Sequence, residues 1–150
     1  MKNSNTLEIH VGYWLRFVSN HVSASFAKKL ASHDVGVGEW VVLNLLNDQK
    51  VLSPAQIASS TKMTRGAVSK LLDRLYLKQF IFRVESSKDR RYQEITLSDS
   101  GKKLLPKLKK LADANENEFF GHLEKEQKIE IIKLLREIVC AHKWDEIPIK

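Results

Sequence analysis

The chain is 150 residues long, with 43% hydrophobic and 29% charged residues, a balance that suits one folded domain and excludes a disordered chain. Its apolar runs, such as 40–43, are far shorter than the roughly 20 residues that cross a bilayer. Its single cysteine, Cys140, excludes an internal disulfide framework and a cysteine-rich zinc module, whereas a formal net charge of +7 points to an anionic partner.

The positive charge is concentrated in the middle of the chain. Nine bases between residues 62 and 91 outnumber three acids, so this span carries a net +6 and the rest of the chain only +1. The bases are Lys62, Arg65, Lys70, Arg74, Lys78, Arg83, Lys88, Arg90 and Arg91. Such a segment is typical of a surface that binds a polyanion, with a solvated basic face as an equal alternative. The N-terminus lacks the apolar stretch of a secretory signal, so we expect a cytoplasmic protein with no membrane segment.

The first predicted element is one long amphipathic helix, because apolar residues recur every three or four positions from residue 7 to residue 30. These residues are Leu7, Val11, Trp14, Leu15, Val18, Val22, Phe26 and Leu30. The glycine-containing segment 34–38 is predicted to break this helix. A second helix follows and is predicted to end near residues 47–48.

The middle of the chain carries the start signals of two successive helices. Residues 53–56, Ser-Pro-Ala-Gln, combine an N-cap hydroxyl, proline at the first helical position and glutamine at the third. This short helix is predicted to give way at residues 59–62, before Thr64 caps the next helix. Two short helices joined by a three- to four-residue polar turn predict a helix-turn-helix, whose second helix, the recognition helix, enters the major groove of DNA.

The recognition helix is predicted to have one apolar and one polar face. The positions expected to face inward are Val68, Leu71, Leu72 and Leu75. The positions expected to face outward are Arg65, Gly66, Ser69, Lys70, Asp73 and Arg74. A small, polar first turn lets the backbone approach DNA closely, and Arg and Lys side chains reach guanine edges or phosphates. The alternative is an ordinary amphipathic surface helix. The predicted DNA contacts on this helix are Thr64, Arg65, Gly66, Ser69, Lys70 and Arg74.

After residue 77 the apolar spacing changes to every second residue, over 80–84 and again over 93–97, which predicts a β-hairpin. Its tip, 86–91, is polar and mainly basic, and a hairpin beside a helix-turn-helix makes a winged helix. Arginine at a wing tip suits the narrow minor groove, and Asp89 is near enough in sequence to hold Arg91 extended. The alternative role of a charged tip is solubility. The predicted DNA contacts on the wing are Lys88, Asp89, Arg90 and Arg91.

Two more helices are predicted towards the C-terminus. The first contains Leu104, Leu108 and Leu111, and Pro106 is expected to kink or locally disturb it. The second is an apolar series bounded by Pro148. Its residues are Ile129, Ile131, Ile132, Leu134, Leu135, Ile138 and Val139. The predicted fold class is therefore mainly α with a small β-hairpin wing, a winged helix-turn-helix with further helices at both ends.

The sequence resembles the MarR-type winged-helix transcriptional regulators over most of its length. The resemblance rests on Trp-Val-Val-Leu in the second helix, on Ser-Pro-Ala-Gln-Ile-Ala, and on Thr-Arg-Gly-Ala-Val-Ser-Lys-Leu-Leu-Asp-Arg-Leu. Its most specific part is residues 89–98 followed by Gly101, which is similar to the wing signature of the family. Ser98 replaces the usual threonine and keeps a capping hydroxyl. Gln79-Phe80 replaces the usual glycine after the recognition helix, so the turn there is expected to differ slightly.

The resemblance implies a homodimer that binds double-stranded DNA. Within a single subunit spanning 1–150, helices over about 5–32 and 99–146 would mediate dimerisation, and about 37–98 would form the DNA-binding winged helix. The implied function is a transcriptional regulator, expected to be a repressor. It would bind a pseudo-palindromic operator with the recognition helix in the major groove and the wing in the minor groove.

The resemblance also implies a small aromatic or anionic effector, since many relatives respond to such molecules. Its binding would change the separation of the two recognition helices, of which only one matches the operator. The alternative is that the aromatic residues of the predicted pocket belong only to the core. The residues predicted to line the pocket are Trp14, Arg16, Phe17 and Trp40.

Other kinds of chemistry have less support in the sequence. A zinc site through His33 and Glu39 is a minor alternative, and Cys140 is expected to be a small buried hydrophobe on the last helix. Without a catalytic triad, paired carboxylates or a glycine-rich phosphate loop, we expect neither an enzyme nor a cofactor. The second class of function is a winged-helix protein-interaction module without specific DNA binding. Its wing should carry exposed apolar or mixed residues, unlike the Lys-Asp-Arg-Arg predicted here.

Overall fold

The structure, a computed structural model, describes residues 6–85 and 92–144, which form six α-helices and two β-strands after a short 3-10 turn at Thr6–Ile9. The elements are α1 (Val11–Ala31), α2 (Val37–Gln49), α3 (Pro54–Thr61), α4 (Arg65–Leu77), β1 (Ile81–Glu85), β2 (Gln93–Leu97), α5 (Asp99–Phe120) and α6 (Lys125–Ala141). This architecture confirms the predicted class, mainly α with a β-hairpin following a helix-turn-helix. Within the described ranges, no helix combines the length and the hydropathy that a membrane span requires.

The N-terminal helix is shorter than its apolar pattern predicts. Residues Thr6–Ile9 form a separate 3-10 turn, and His10 is extended at φ −96° and ψ 124°, so α1 begins only at Val11. The indole N–H of Trp14 donates to the carbonyl of Glu8 at 2.8 Å and holds this turn against the start of α1. The prediction of one continuous helix is therefore wrong over its first turn.

The second helix begins earlier than the glycine pattern predicts. Val37 and Gly38, which the sequence assigned to the break, lie in the first turn of α2 behind the N-cap residue Gly36. The carboxylate of Glu39 accepts the N–H of Gly36 at 3.2 Å. Because this contact satisfies a donor at the helix start, it offsets the low helix propensity of glycine.

The helix-turn-helix forms at the predicted position, with a later turn. Both halves of the predicted capping box are present in α3, because Ser53 Oγ accepts the N–H of Gln56 at 3.1 Å and Gln56 Oε1 accepts that of Ser53 at 2.8 Å. The hydroxyl of Thr61 donates to the carbonyl of Ile57 at 2.8 Å, so residues 59–61 stay helical instead of forming the turn. The turn is therefore 62–64, and Thr64 caps α4 as predicted.

Gln79 provides the sharp turn from α4 into β1. It adopts a left-handed conformation at φ 63°. Its N–H donates to the carbonyl of Tyr76 at 3.0 Å, and the N–H of Phe80 donates to that of Leu75 at 3.0 Å. This pair of hydrogen bonds is a Schellman motif, whose left-handed residue is most often glycine. The turn therefore differs little from one with glycine, because Gln79 adopts the left-handed conformation that glycine usually takes there.

The hairpin has one buried and one exposed face. Ile81 pairs with Leu97 and Arg83 pairs with Ile95, and the three apolar side chains of these pairs are buried. On the other face, Phe82 and Val84 are each 56% exposed. The tip, 86–91, with the four predicted wing contacts, lies outside the described residues.

The core lies between α2, α3, α4, the hairpin and the first half of α5. Its largest fully buried side chains are Leu30, Leu43, Leu46, Ile57, Leu72, Leu75, Ile81, Ile95, Leu108, Val42 and Val68. The helix α5 continues through Pro106 without interruption. Gly101, in its first turn, is buried against the backbone of Phe80.

Two apolar faces lie outside this core, one on the N-terminal part of the chain and one on α6. Each of their side chains keeps between 39% and 80% of its surface exposed. The first face consists of Leu7, Ile9, Val11, Trp14, Leu15, Phe17 and Val18. The second consists of Ile129, Ile131, Ile132, Leu134, Leu135, Ile138 and Val139. Cys140 is also exposed, so the expectation of a buried thiol is wrong for the single chain.

Candidate nucleic-acid interface

The recognition helix α4 is fixed in the core by one face and exposes the other. Val68, Leu72 and Leu75 have no exposed surface, and Leu71 keeps 8%. The opposite face of a helix with 3.6 residues per turn must then point outward. The residues predicted to face outward are all exposed, and they are Arg65, Gly66, Ser69, Lys70, Asp73 and Arg74.

The first turn of α4 leaves room for a close approach. Thr64 Oγ1 accepts the N–H of Ala67 at 3.1 Å and so caps the helix. Gly66 faces open space, since a Cβ added to it would meet no atom within 4 Å. The positive end of the helix dipole lies at this turn, beside the side chain of Arg65. The start of the helix therefore favours an anionic partner such as a phosphate.

The bases of the central segment divide into two groups. Lys78 Nζ lies 2.8 Å from Glu39 Oε2, and Arg83 Nη1 lies 2.6 Å from Asp73 Oδ1, so these two bases connect elements of the fold. By contrast, three bases on the outer face of α4 are exposed and form no ion pair with any described residue. These bases are Arg65, Lys70 and Arg74. Within the described part of the central segment, the recognition helix thus offers three bases to a partner.

Glu39 is buried and has two partners already. One carboxylate oxygen accepts the N–H of Gly36, and the other pairs with Lys78 at the end of α4. His33 is exposed, and no three His, Cys, Asp or Glu side chains converge anywhere in 6–85 and 92–144. The carboxylate therefore joins α2 to the recognition helix.

The residues of the predicted effector pocket fall into two places. Trp14 and Phe17 lie on the exposed first half of α1 with their ring centroids 6.5 Å apart, and Arg16 is exposed on the same helix. Trp40 instead packs edge-on against Phe26, with 5.0 Å between the centroids, and borders the core. The structure thus brings Trp14 and Phe17 together, whereas Arg16, two positions after Trp14, points from another side of the helix and Trp40 has a separate packing partner.

The polar contact between α1 and α5 was not anticipated from the sequence. Lys29 Nζ donates to Ser25 Oγ at 2.7 Å, to Asn115 Oδ1 at 2.9 Å and to the carboxylate of Glu118. The hydrogen bond from Lys29 lowers the pKa of Glu118. The two partners on α5 lie 86 and 89 positions from Lys29 in sequence, so no local pattern could have revealed them.

Comparison with known proteins finds a matching family model, related sequences and similar folds. Residues 37–92 match the model of the MarR family. The chain is 21% identical over 127 residues to the HTH-type transcriptional regulator SarZ of Staphylococcus haemolyticus, over 85% of each chain. Its fold is similar to that of a mutant MarR from E. coli complexed with operator DNA, with a TM-score of 0.75 and 19% identity, covering 88% of this chain and 96% of the other.

A second solved structure is similar over nearly the same length. This protein is BpsR of Bordetella bronchiseptica, whose DNA binding is regulated by 6-hydroxynicotinic acid. The TM-score is 0.73 and the identity 25%, covering 86% of this chain and 92% of that one.

Proposed function

We propose that this chain, which belongs to the MarR family of winged-helix transcriptional regulators, represses transcription by binding a pseudo-palindromic operator as a homodimer. The observation that carries this proposal is the outer face of α4. It exposes three bases without ion-pair partners among the described residues, next to a capped and sterically open helix start. The role is one of binding, with no catalytic step.

The recognition helix would enter the major groove. Arg65, Lys70 and Arg74 have the reach and the charge to contact guanine edges or phosphates, and Ser69 can donate to either. Thr64 and Gly66 allow the first turn to come close to the DNA. The likeness to MarR complexed with operator DNA supports this arrangement.

The wing would contact the adjacent minor groove. Lys88, Arg90 and Arg91 supply positive charge in the segment that connects β1 and β2. The narrow minor groove concentrates negative potential, which favours arginine. Asp89 would hold Arg91 extended. This part of the proposal depends on the sequence of the tip and on the likeness to the family.

The exposed apolar faces support a homodimer. The faces on the N-terminal part of the chain and on α6 are too extended for a stable monomer in water, because large exposed apolar patches normally mark an interface. Covering them with the same faces of a second copy would remove them from water. The two recognition helices would then address half-sites about 34 Å apart, one turn of the duplex.

A small aromatic or anionic effector would release the DNA. The regulation of BpsR by 6-hydroxynicotinic acid supports this class of ligand. Trp14 and Phe17 would supply aromatic rings, and Arg16 and Trp40 would complete the pocket in the dimer. An effector would act by binding more tightly to the conformation of the dimer in which the separation of the recognition helices does not match the operator.

Selection from a pool of random duplexes tests the proposed function. The purified full chain is incubated with the pool at low salt, and bound duplexes are amplified and sequenced over several rounds. We expect enrichment of a sequence with two inverted half-sites about one helical turn apart. Enrichment of no sequence, or of a single unrepeated half-site, would contradict the proposal.

A protein-interaction module remains the alternative function, and one observation favours it. Phe82 and Val84 are exposed on the outer face of the hairpin, and Phe82 lines a groove with the exposed Tyr76 and Leu77 at the end of α4. Under this alternative, Phe82→Ser would abolish the function of the chain. Under the DNA-binding proposal, the same substitution leaves operator affinity unchanged, which a binding titration measures directly.

A further inference from the structure

Arg83, in the middle of β1, contacts residues of two other elements. Its Nη1 donates to Asp73 Oδ1 on α4 at 2.6 Å. Its Nε and Nη2 donate to Gln93 Oε1 on β2 at 3.4 and 3.2 Å. Its guanidinium carbon also lies 5.9 Å from the ring centroid of Tyr76 on α4, within the range of a cation–π contact. One guanidinium therefore joins the recognition helix to both strands of the wing.

We propose that Arg83 is a positioning residue that fixes the angle of the hairpin against α4, so that the recognition helix and the wing meet DNA as one rigid unit. This inference rests on the proposed function and assigns to Arg83 a role other than direct DNA contact. Only 21% of its side chain is exposed, and its nitrogens already donate to protein oxygens. The exposed bases of α4, such as Lys70, form no ion pair with any residue of 6–85 or 92–144 and could contact DNA.

The hairpin needs such a contact because Ile81, Leu97 and the backbone pair between Leu52 and Ile95 anchor only its base, whereas Val84, Glu85 and Gln93 lie beyond these anchors. A two-stranded hairpin is at best marginally stable alone in water. The buried side chains Ile81, Ile95 and Leu97 hold the end of the hairpin near the core, whereas Phe82 and Val84 leave its outer face unsupported. Gln93 begins β2 on the side of the tip, so the contact with Arg83 lies farther along the wing.

Arginine suits this task better than lysine. The planar guanidinium presents donors in fixed directions, so Nη1 can face α4 while Nε and Nη2 face β2. An ammonium group is a single point charge, so a lysine here would bind either Asp73 or Gln93 but not both. Because the planar guanidinium sets the relative direction of α4 and β2, we expect Arg83→Lys to retain only part of the operator affinity.

The test compares Arg83→Met, Arg83→Lys and Asp73→Asn with a matched control, Glu94→Gln, on the exposed outer face of β2. Amide hydrogen exchange of 81–85 and 93–97 is measured without DNA, and affinity is measured for the selected operator duplex. We expect Arg83→Met to speed exchange in both strands and to weaken binding about tenfold, equivalent to about 1.4 kcal/mol. Arg83→Lys and Asp73→Asn should give smaller changes in the same directions, and Glu94→Gln should change neither quantity.

A double-mutant cycle separates positioning from direct contact. If Arg83 acts through the wing, Arg83→Met combined with Arg91→Ala weakens binding by less than the product of the two single effects. If Arg83→Met is instead combined with Lys70→Met on α4, the two losses of affinity should multiply. Multiplication in the cycle with Arg91 would overturn the proposal, and so would unchanged hydrogen exchange or unchanged affinity in Arg83→Met.

The remaining outcomes can be told apart. If Arg83→Met does not fold, Arg83→Lys and Asp73→Asn carry the same comparisons. If the unmodified chain binds no duplex, the proposed function fails, whereas the hydrogen exchange measurement still decides whether Arg83 holds the wing. Unchanged exchange in that case overturns the positioning role as well.

Discussion

Gly101 has little freedom to change. It lies in the first turn of α5, and its N–H donates to the cap Ser98 Oγ at 3.1 Å. A Cβ at this position would stand 2.2 Å from the carbonyl oxygen of Phe80, which already accepts the N–H of Ser98. Since that oxygen belongs to the backbone, it cannot move aside without breaking the junction between the wing and α5. The glycine of the family's wing signature therefore has a steric cause.

We predict that Gly101→Ala destabilises the fold by about 3 kcal/mol, the range expected for overpacking a rigid site. Urea unfolding followed by circular dichroism measures the change. The matched control is Gly66→Ala on α4, where the added methyl meets no atom within 4 Å. It should keep or raise the stability by up to about 1 kcal/mol, because alanine has the higher helix propensity. Equal unfolding midpoints for the two variants would contradict the steric account.

At the scale of elements, the end of α4 carries a strain that can be removed. Gln79 holds the left-handed position of a Schellman motif at φ 63°, a conformation that costs a residue with a side chain roughly 1 kcal/mol. We therefore predict that Gln79→Gly raises the free energy of unfolding by about 1 kcal/mol, measured by chemical denaturation. As a control, Lys103→Gly in the exposed interior of α5 should lower it by about 1 kcal/mol. A loss of stability in Gln79→Gly would mean that the glutamine side chain makes a stabilising contact.

The elements that the sequence predicts best are those with local signals. The caps Ser53 and Thr64 and the apolar face of α4 were predicted correctly, because each signal lies within a few residues of its partner. The turn after α3 was placed too early, since the hydroxyl of Thr61 bonds to its own helix. Here one hydrogen bond from a side chain extends the helix by a few residues, and composition does not reveal it.

The candidate site was less predictable where it depends on contacts across the fold. Arg83 reads in sequence as one more surface base, yet it lies on the buried face of β1 and joins the wing to α4. Its place in the alternation, two residues after Ile81, was a usable signal. The contact of Lys29 with Asn115 had no such signal, because it arises only when α1 and α5 pack together.

At the scale of the whole molecule, the candidate DNA-binding face and the exposed apolar faces lie on different elements. Three exposed bases that form no ion pair with a described residue are on α4, whereas the exposed apolar series is on the N-terminal part of the chain and on α6. This division suits a dimer whose apolar helices pair while its recognition helices remain free for DNA. A monomer would leave the apolar faces in water, which favours association.

The most direct test of this account is sedimentation velocity of the full chain with a labelled operator duplex at several salt concentrations. We expect two chains in each complex. We also expect affinity to fall by at least about a hundredfold between about 50 and about 200 mM salt, as several phosphate contacts release counterions. A monomeric chain at micromolar concentration, or an affinity that does not change with salt, would contradict the account.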